Sequence, residues 1–284
     1  MLTFANYSNL EWMEELHDVC VSIEEFQAEL QYSNESALLS ILDFFGRIFN
    51  SLKTSMTKFL SSVKRGELKK YVEDHAATVS KIDHLNIDNE AFVTEISTPS
   101  GMKASYSDAV KFLNEVFTKL DLKATLKSIK STLHQFSISL QRNNDSTVQV
   151  GSFAATMNSK KDFIEQSMKS MEEKFSGSDV VSRKFKEEFK SVGEFVQTKQ
   201  EIIEAEKNLE DVQSISALTD DLTAIISDIE SKKDTTVFSS VAQSLSESAH
   251  TLAKAIDLYG ISVMNLMALA HNFTLIYNKV AVRV

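Results

Sequence analysis

A mainly α-helical bundle is the fold this sequence predicts, on three observations: a single proline, only seven glycines in 284 residues, and apolar residues recurring at three- and four-residue steps along most of the chain. Proline and glycine interrupt helices, so their scarcity leaves room for long ones. The same scarcity disfavours all-β folds, and also parallel α/β folds, whose repeated strand-to-helix turns call for glycine. The expectation is an elongated multi-helix bundle with long helical hairpins and at most one small β pairing. Its expected regions are an acidic/basic amphipathic part (1–82), a linker or short-strand part (83–104) and a helical bundle (105–284).

The first helix is predicted from about Asn9 to Gln31, where Leu10, Met13, Leu16, Cys20, Ile23, Phe26 and Leu30 share one face and Glu11, Glu14, Glu15, Asp18, Glu24, Glu25 and Glu29 occupy the other. Ser33 and Asn34 break it and offer an N-cap for the next. The second helix, roughly 36–64, is the most amphipathic, with Leu38, Ile41, Leu42, Phe45, Ile48, Phe49, Leu52, Met56, Phe59, Leu60 and Val63 in register. Its polar side is basic: Arg47, Lys53, Lys58, Lys64, Arg65, Lys69 and Lys70 are opposed between Arg47 and Lys70 only by Glu67. Gly66 marks a bend before a shorter helix carrying Leu68, Val72, Ala76 and Val79.

From Asp83 to Gly101 the helical period lapses, Pro99 occurs, and residues 91–96 read as a short strand. A second strand is predicted at 147–150, where it can pair with the first. Between them, Val110, Leu113, Val116, Phe117 and Leu120 form one helical face. Leu122, Leu126, Ile129, Leu133, Phe136 and Leu140 form another with alternating four- and three-residue steps, the pattern of a coiled-coil seam. A packed helical hairpin of the two is expected.

Phe163, Ile164, Met168, Met171 and Phe175 define a helix ended by Gly177. A charged helix then starts with Phe185, Phe189, Val192 and Val196, continues through Val212 with room for a kink at Gly193, and breaks near Ser214–Ser216. Leu218, Leu222, Ile225 and Ile229 follow on a further helix. The last helix is predicted from just after Asp234 to about Lys279, without a charged residue between Asp257 and Lys279. That span matches a bilayer in length, but Ser262, Asn265, His271, Asn272 and Thr274 would then have to be accommodated in hydrocarbon, which favours a buried central helix.

Function classes narrow by exclusion. A net charge of −10 disfavours general nucleic-acid binding, which needs a basic footprint. The lone Cys20 removes a disulfide framework and fits a small buried hydrophobe. Glu14 with His17 and Glu247 with His250 are Glu-x-x-His pairs of the kind found in di-metal bundles, yet no further inward glutamates accompany them, so no metal, cofactor or catalytic residue is assigned. Asp74–His75 and Asp83–His84 read as solvated polar residues. Met1-Leu2-Thr3-Phe4-Ala5 leads into acidic sequence with no basic n-region before an apolar core, so no secretory signal is expected.

What remains is the charge polarity of the first two helices. It serves either an intramolecular hairpin or a basic amphipathic surface for an acidic protein or an anionic lipid, with Arg47, Lys53, Lys58, Lys64, Arg65, Phe45 and Phe49 as the candidate interaction residues.

Serine-, phenylalanine- and lysine-rich helices, few prolines, and the stretch Leu38-Leu39-Ser40-Ile41-Leu42-Asp43-Phe44-Phe45-Gly46-Arg47-Ile48-Phe49 resemble virion structural proteins of large tailed bacteriophages. That resemblance implies a noncatalytic head, neck, tail or ejected component, working through contacts with other subunits as a homo-oligomer or part of a larger assembly, in the virion or the host cytoplasm. A second resemblance, to α-helical pore-forming toxins, rests on 36–64 and 258–278 and implies membrane contact. That family places its apolar stretch between bundle helices, whereas here it is C-terminal.

Overall fold

The computed structural model describes residues 43, 45–54, 57, 66–141, 147–177, 180–231 and 239–284. The predicted 9–31 helix, Cys20, the Glu14–His17 pair, Lys58, Lys64 and Arg65 lie outside the described residues. After a helical segment at 45–54, the elements run α1 (Glu67–Asp74), α2 (Ala76–Asp83), a 3-10 turn (Glu90–Phe92), β1 (Glu95–Ser97), α3 (Tyr106–Leu120), α4 (Leu122–Gln141), α5 (Thr147–Phe175), β2 (Ser182–Lys184), α6 (Phe185–Glu188), α7 (Val192–Glu206), a 3-10 turn (Lys207–Glu210), α8 (Asp211–Ser231) and α9 (Ser239–Ala281). Among the described residues the fold is mainly α with one two-stranded antiparallel sheet.

Helix α9 is the spine. Its 43 residues extend about 65 Å at 1.5 Å per residue, and α5, α3, α7, α1 and α2 pack along it. Leu252, Ile256, Leu258, Leu266, Leu269, Phe273, Ile276 and Tyr277 are buried, which needs apolar residues all round the helix rather than along one stripe. Four polar residues of this span bond back to their own helix, and His271 instead reaches Glu67 of α1. Ser262, Asn265, Asn272 and Thr274 each donate to the carbonyl four residues earlier, at 2.7, 3.1, 2.9 and 3.0 Å, so no separate partner is needed for burial.

Asp121 sets the angle between α3 and α4. It stands at φ 37°, ending α3 in the left-handed region, while its Oδ1 accepts the N–H of Ala124 at 3.1 Å and caps α4. The two helices therefore turn away from each other, and the expected hairpin between them is not formed. Instead α4 lies along α8. Lys123 meets Asp211 at 2.6 Å, Lys130 meets Asp221 at 2.5 Å, and Ser137 donates to Asp228 at 2.5 Å. Both numberings ascend together, so the pair is parallel. The predicted face of Leu122, Leu126, Ile129, Leu133 and Phe136 is buried as expected, and α4 also packs against α5, the next helix.

The sheet corrects a second expectation. Residues 147–150 open α5 as helix, and β1 pairs with β2 instead, with Ile96 opposite Arg183. Ser182-Arg183-Lys184 has no apolar alternation to announce a strand; side-chain bonds hold it. Arg183 donates to the carbonyls of Met102, Lys103 and Ala104, and pairs with Glu188 at 2.8 Å. Beside the sheet, Gly101 stands at φ +84°, where an added Cβ would lie 2.7 Å from the Phe175 carbonyl oxygen, and its own carbonyl accepts Gly177 N–H at 2.9 Å.

The predicted 185–212 helix is broken twice. Phe189 is extended and Ser191 caps α7, its Oγ accepting Glu194 N–H at 3.1 Å, so Gly193 falls in the first turn and no kink arises there. The second break is the 3-10 turn Lys207–Glu210, ahead of the expected 214–216, which lies inside α8. A single cluster of buried residues joins Phe45 to Val280, and it includes Phe92, Ile96 and Met102 from the 83–104 region.

Candidate interaction surface

The basic amphipathic face divides on inspection. Phe45 and Phe49 are fully buried, their rings stacked at 6.0 Å, and belong to the core with Ile48 and Leu52. Arg47 and Lys53 are on the surface and already paired: Arg47 with Asp43 at 3.1 Å, and Lys53 with Asp220 of α8 at 2.5 Å. Lys53 thus attaches the 45–54 segment to α8. Of the described candidate residues, Phe45 and Phe49 belong to the core, while Arg47 and Lys53 carry ion pairs within the chain and keep about half of their side chains exposed.

Three buried charged residues, Lys199, Glu188 and Glu206, lacked any assignment from sequence, and each ties elements together. Lys199 of α7 pairs with Asp83 at the end of α2, and Asp83 also accepts the Tyr277 hydroxyl of α9 at 2.7 Å. This corrects the reading of Asp83 as solvated. Burial, then the bond to Asp83 and its charge, push the Tyr277 phenol far up. Glu188 accepts the backbone N–H of Tyr106, capping the start of α3, while its other oxygen holds Arg183. Glu206 approaches the first turn of α1. A signal for them existed: Lys199 and Glu206 continue the Phe195–Ile202 stripe, and Glu188 sits between Phe185 and Val192. A charge on the apolar face of a helix points to a buried pair.

Around these ties lies an aromatic hub. Phe195 has Phe185, Phe189, Phe273 and Tyr277 at centroid distances of 5.2, 5.1, 4.9 and 4.8 Å, and Phe92 and Tyr106 extend it. Burial followed by the charge of Glu188 raises the Tyr106 phenol well above its ordinary value.

The most distinctive open surface is a groove between α3 and α5. Phe112 and Phe163 are half-buried in it, with Val116 and Ser167 buried beneath. Lys119 Nζ lies 5.4 Å from the Phe163 centroid and Lys174 Nζ lies 5.8 Å from that of Phe112, both within cation–π reach. Lys111 is a third cation on its wall, against the carboxylates of Asp108 and Glu115, of which Glu115 pairs with Lys119 at 2.6 Å. The periodicity of α3 and α5 marked their buried faces, whereas Phe112 lies beside that stripe and the three lysines come from two separated helices. Among the described residues no group of three His, Cys, Asp or Glu side chains is placed to hold a metal ion. Comparison with family models, with curated proteins and with solved structures finds no match.

Proposed function

We propose that this chain is a noncatalytic structural or assembly protein that works through helix-mediated contacts with further copies of itself, of the kind that build the virions of large tailed bacteriophages. The observation that carries the contact is the α3–α5 groove. Two half-buried phenylalanines with lysines over their rings offer apolar area and positive charge together, in a chain whose net charge is −10. An acidic amphipathic helix complements both features. The stretch from Glu11 to Glu29, rich in carboxylates and free of cations, provides that chemistry from a second copy. The phage-virion part of the reading is supported by sequence texture alone.

A second reading, membrane action, is favoured by one observation. Glu247–Ala281 is long and apolar enough to cross a bilayer, although 78% of its most apolar window is buried in the bundle. Insertion would therefore require the spine to leave the core.

Light-scattering chromatography of the full chain, with and without anionic liposomes, tests both. A defined oligomer indifferent to lipid is expected, and Lys111→Glu with Lys174→Glu should convert it to monomer by reversing the charge of the groove. A monomer that transfers onto liposomes would replace this reading with the membrane one. An oligomer unchanged by the double variant would move the contact elsewhere.

A further inference from the structure

Helix α1 meets the bundle through three ionisable groups drawn from three helices. Glu206, the last residue of α7, is 7% exposed, and its carboxylate accepts the backbone N–H groups of Leu68 and Lys69. These first-turn donors have no partner within α1 itself. Gly66, the N-cap at φ 66°, brings no side chain to them. The second carboxylate oxygen of Glu206, Oε2, is buried without a hydrogen-bond partner. On the same turn of α1, Glu67 lies 3.1 Å from Nδ1 of His271 on α9. The other charges acting on the junction are the chain's N-terminal amino group, whose charge opposes protonation of His271, Lys69 on α1, the Glu204–Lys207 pair at the end of α7, and the Lys199–Asp83 pair further back along α7.

We infer that Glu206, Glu67 and His271 form a proton-operated latch, which clamps α1 to α7 and α9 in mild acid and loosens it in base. With Glu206 ionised, two carboxylates meet at the junction, one buried and one half-buried; with Glu206 neutral and His271 charged, the Glu67 carboxylate faces a cation and no ionised Glu206 opposes it. Undocking would bare Leu68, which is fully buried, together with the half-buried Tyr71 and Val72. The latch thus ties exposure of the apolar side of α1 to pH. It does so at the point where the chain enters α1 from the basic stretch through a left-handed glycine.

The titration directions agree with this geometry. Burial raises the Glu206 carboxyl from 4.5 to about 7, the Lys69 and Leu68 N–H groups oppose the rise, and the Glu67 charge adds to it. His271 is raised from 6.5 by its hydrogen bond to Glu67, against burial. A carboxyl raised in the docked state binds its proton more tightly there, so docking strengthens as pH falls from above 7 towards 4.5. A raised imidazole contributes docking stability that is full below 6.5 and lost as pH rises through its docked value. Both groups pull the same way.

Hydrogen exchange of the full-length protein, read by mass spectrometry and corrected for intrinsic rates, tests the latch. Protection across 66–74 is expected to be about tenfold greater at pH 6 than at pH 8.5, while the middle of α5 shows no comparable change. Glu206→Gln, a permanently neutral isostere, should hold at pH 8.5 most of the protection that the wild type reaches at pH 6, short only of the share His271 loses on deprotonation. Equal wild-type protection at the two pH values would overturn the inference whatever the variant does. A full pH response surviving in Glu206→Gln would overturn it as well.

Discussion

Where α7 crosses α9, charged and aromatic side chains are buried together: Lys199, Asp83 and Tyr277 form one bonded group beside the Phe195 cluster. Where α4 runs along α8, the apolar seam is just as well buried, but its charges stay at the rim, with the Lys130 and Asp221 side chains 40% and 53% exposed. The difference teaches which polar contacts carry stability here. In the hub each ion has given up its water and depends on its partner, whereas along the α4–α8 rim water replaces any partner removed.

The largest effect is expected at the centre of the hub. Phe195→Ala removes a ring in contact with four others from α6–α7 and α9, and the loss of packing plus the residual cavity should lower unfolding free energy by about 3–5 kcal/mol. Urea denaturation followed by far-ultraviolet circular dichroism measures it. A loss below about 1 kcal/mol would mean that the hub rearranges to fill the space.

Next in size is the buried pair. Lys199→Met leaves Asp83 buried with only the Tyr277 hydroxyl, and should cost about 3 kcal/mol in the same assay. Adding Asp83→Asn removes the stranded charge and should recover part of that loss. The order of the two values decides the point: a double variant no more stable than the single one would show that the Asp83 charge is not stranded by loss of the lysine and that the Tyr277 hydroxyl and residual water suffice for it.

Much of this architecture was legible in the sequence. The apolar stripes of α3 and α4 and the uncharged run of α9 were each readable because helical period and composition are local properties, and the break at Gly66 followed from its conformational freedom. What escaped was non-local. The α4 seam has the spacing of a helix partner but carries no label for which helix, and the left-handed Asp121 sends it to α8 rather than back onto α3. The strand at Ser182–Lys184 escaped because Arg183 is held by carbonyls far away in sequence, not by a pattern of its own. At the candidate surface, Phe45 and Phe49 stood out as apolar residues on a basic amphipathic stretch, but the sequence could not say whether a foreign surface or the chain's own core would take them. The core does. The groove of Phe112 and Phe163 was invisible because its lysines come from helices that meet only in the folded protein.

The smallest effect sharpens the comparison most. Lys130 and Asp221 lie 2.5 Å apart, as close as any pair described on the rim, and distance alone would rank them with the buried ties. Exposure argues otherwise: both ends are hydrated before and after the pair forms, and immobilising a lysine opposes the Coulomb gain. Lys130→Ala should therefore change unfolding free energy by less than about 0.5 kcal/mol, whereas Leu133→Ala, one turn along on the buried face of the same helix, should cost about 2–4 kcal/mol. Denaturation of the two variants in low and high salt separates the contributions. A Lys130→Ala loss near that of Leu133→Ala, and erased by salt, would mean that electrostatics rather than the apolar seam holds α4 to α8. The heptad spacing of Lys123, Lys130 and Ser137 would then be a source of stability and not only a setting of register.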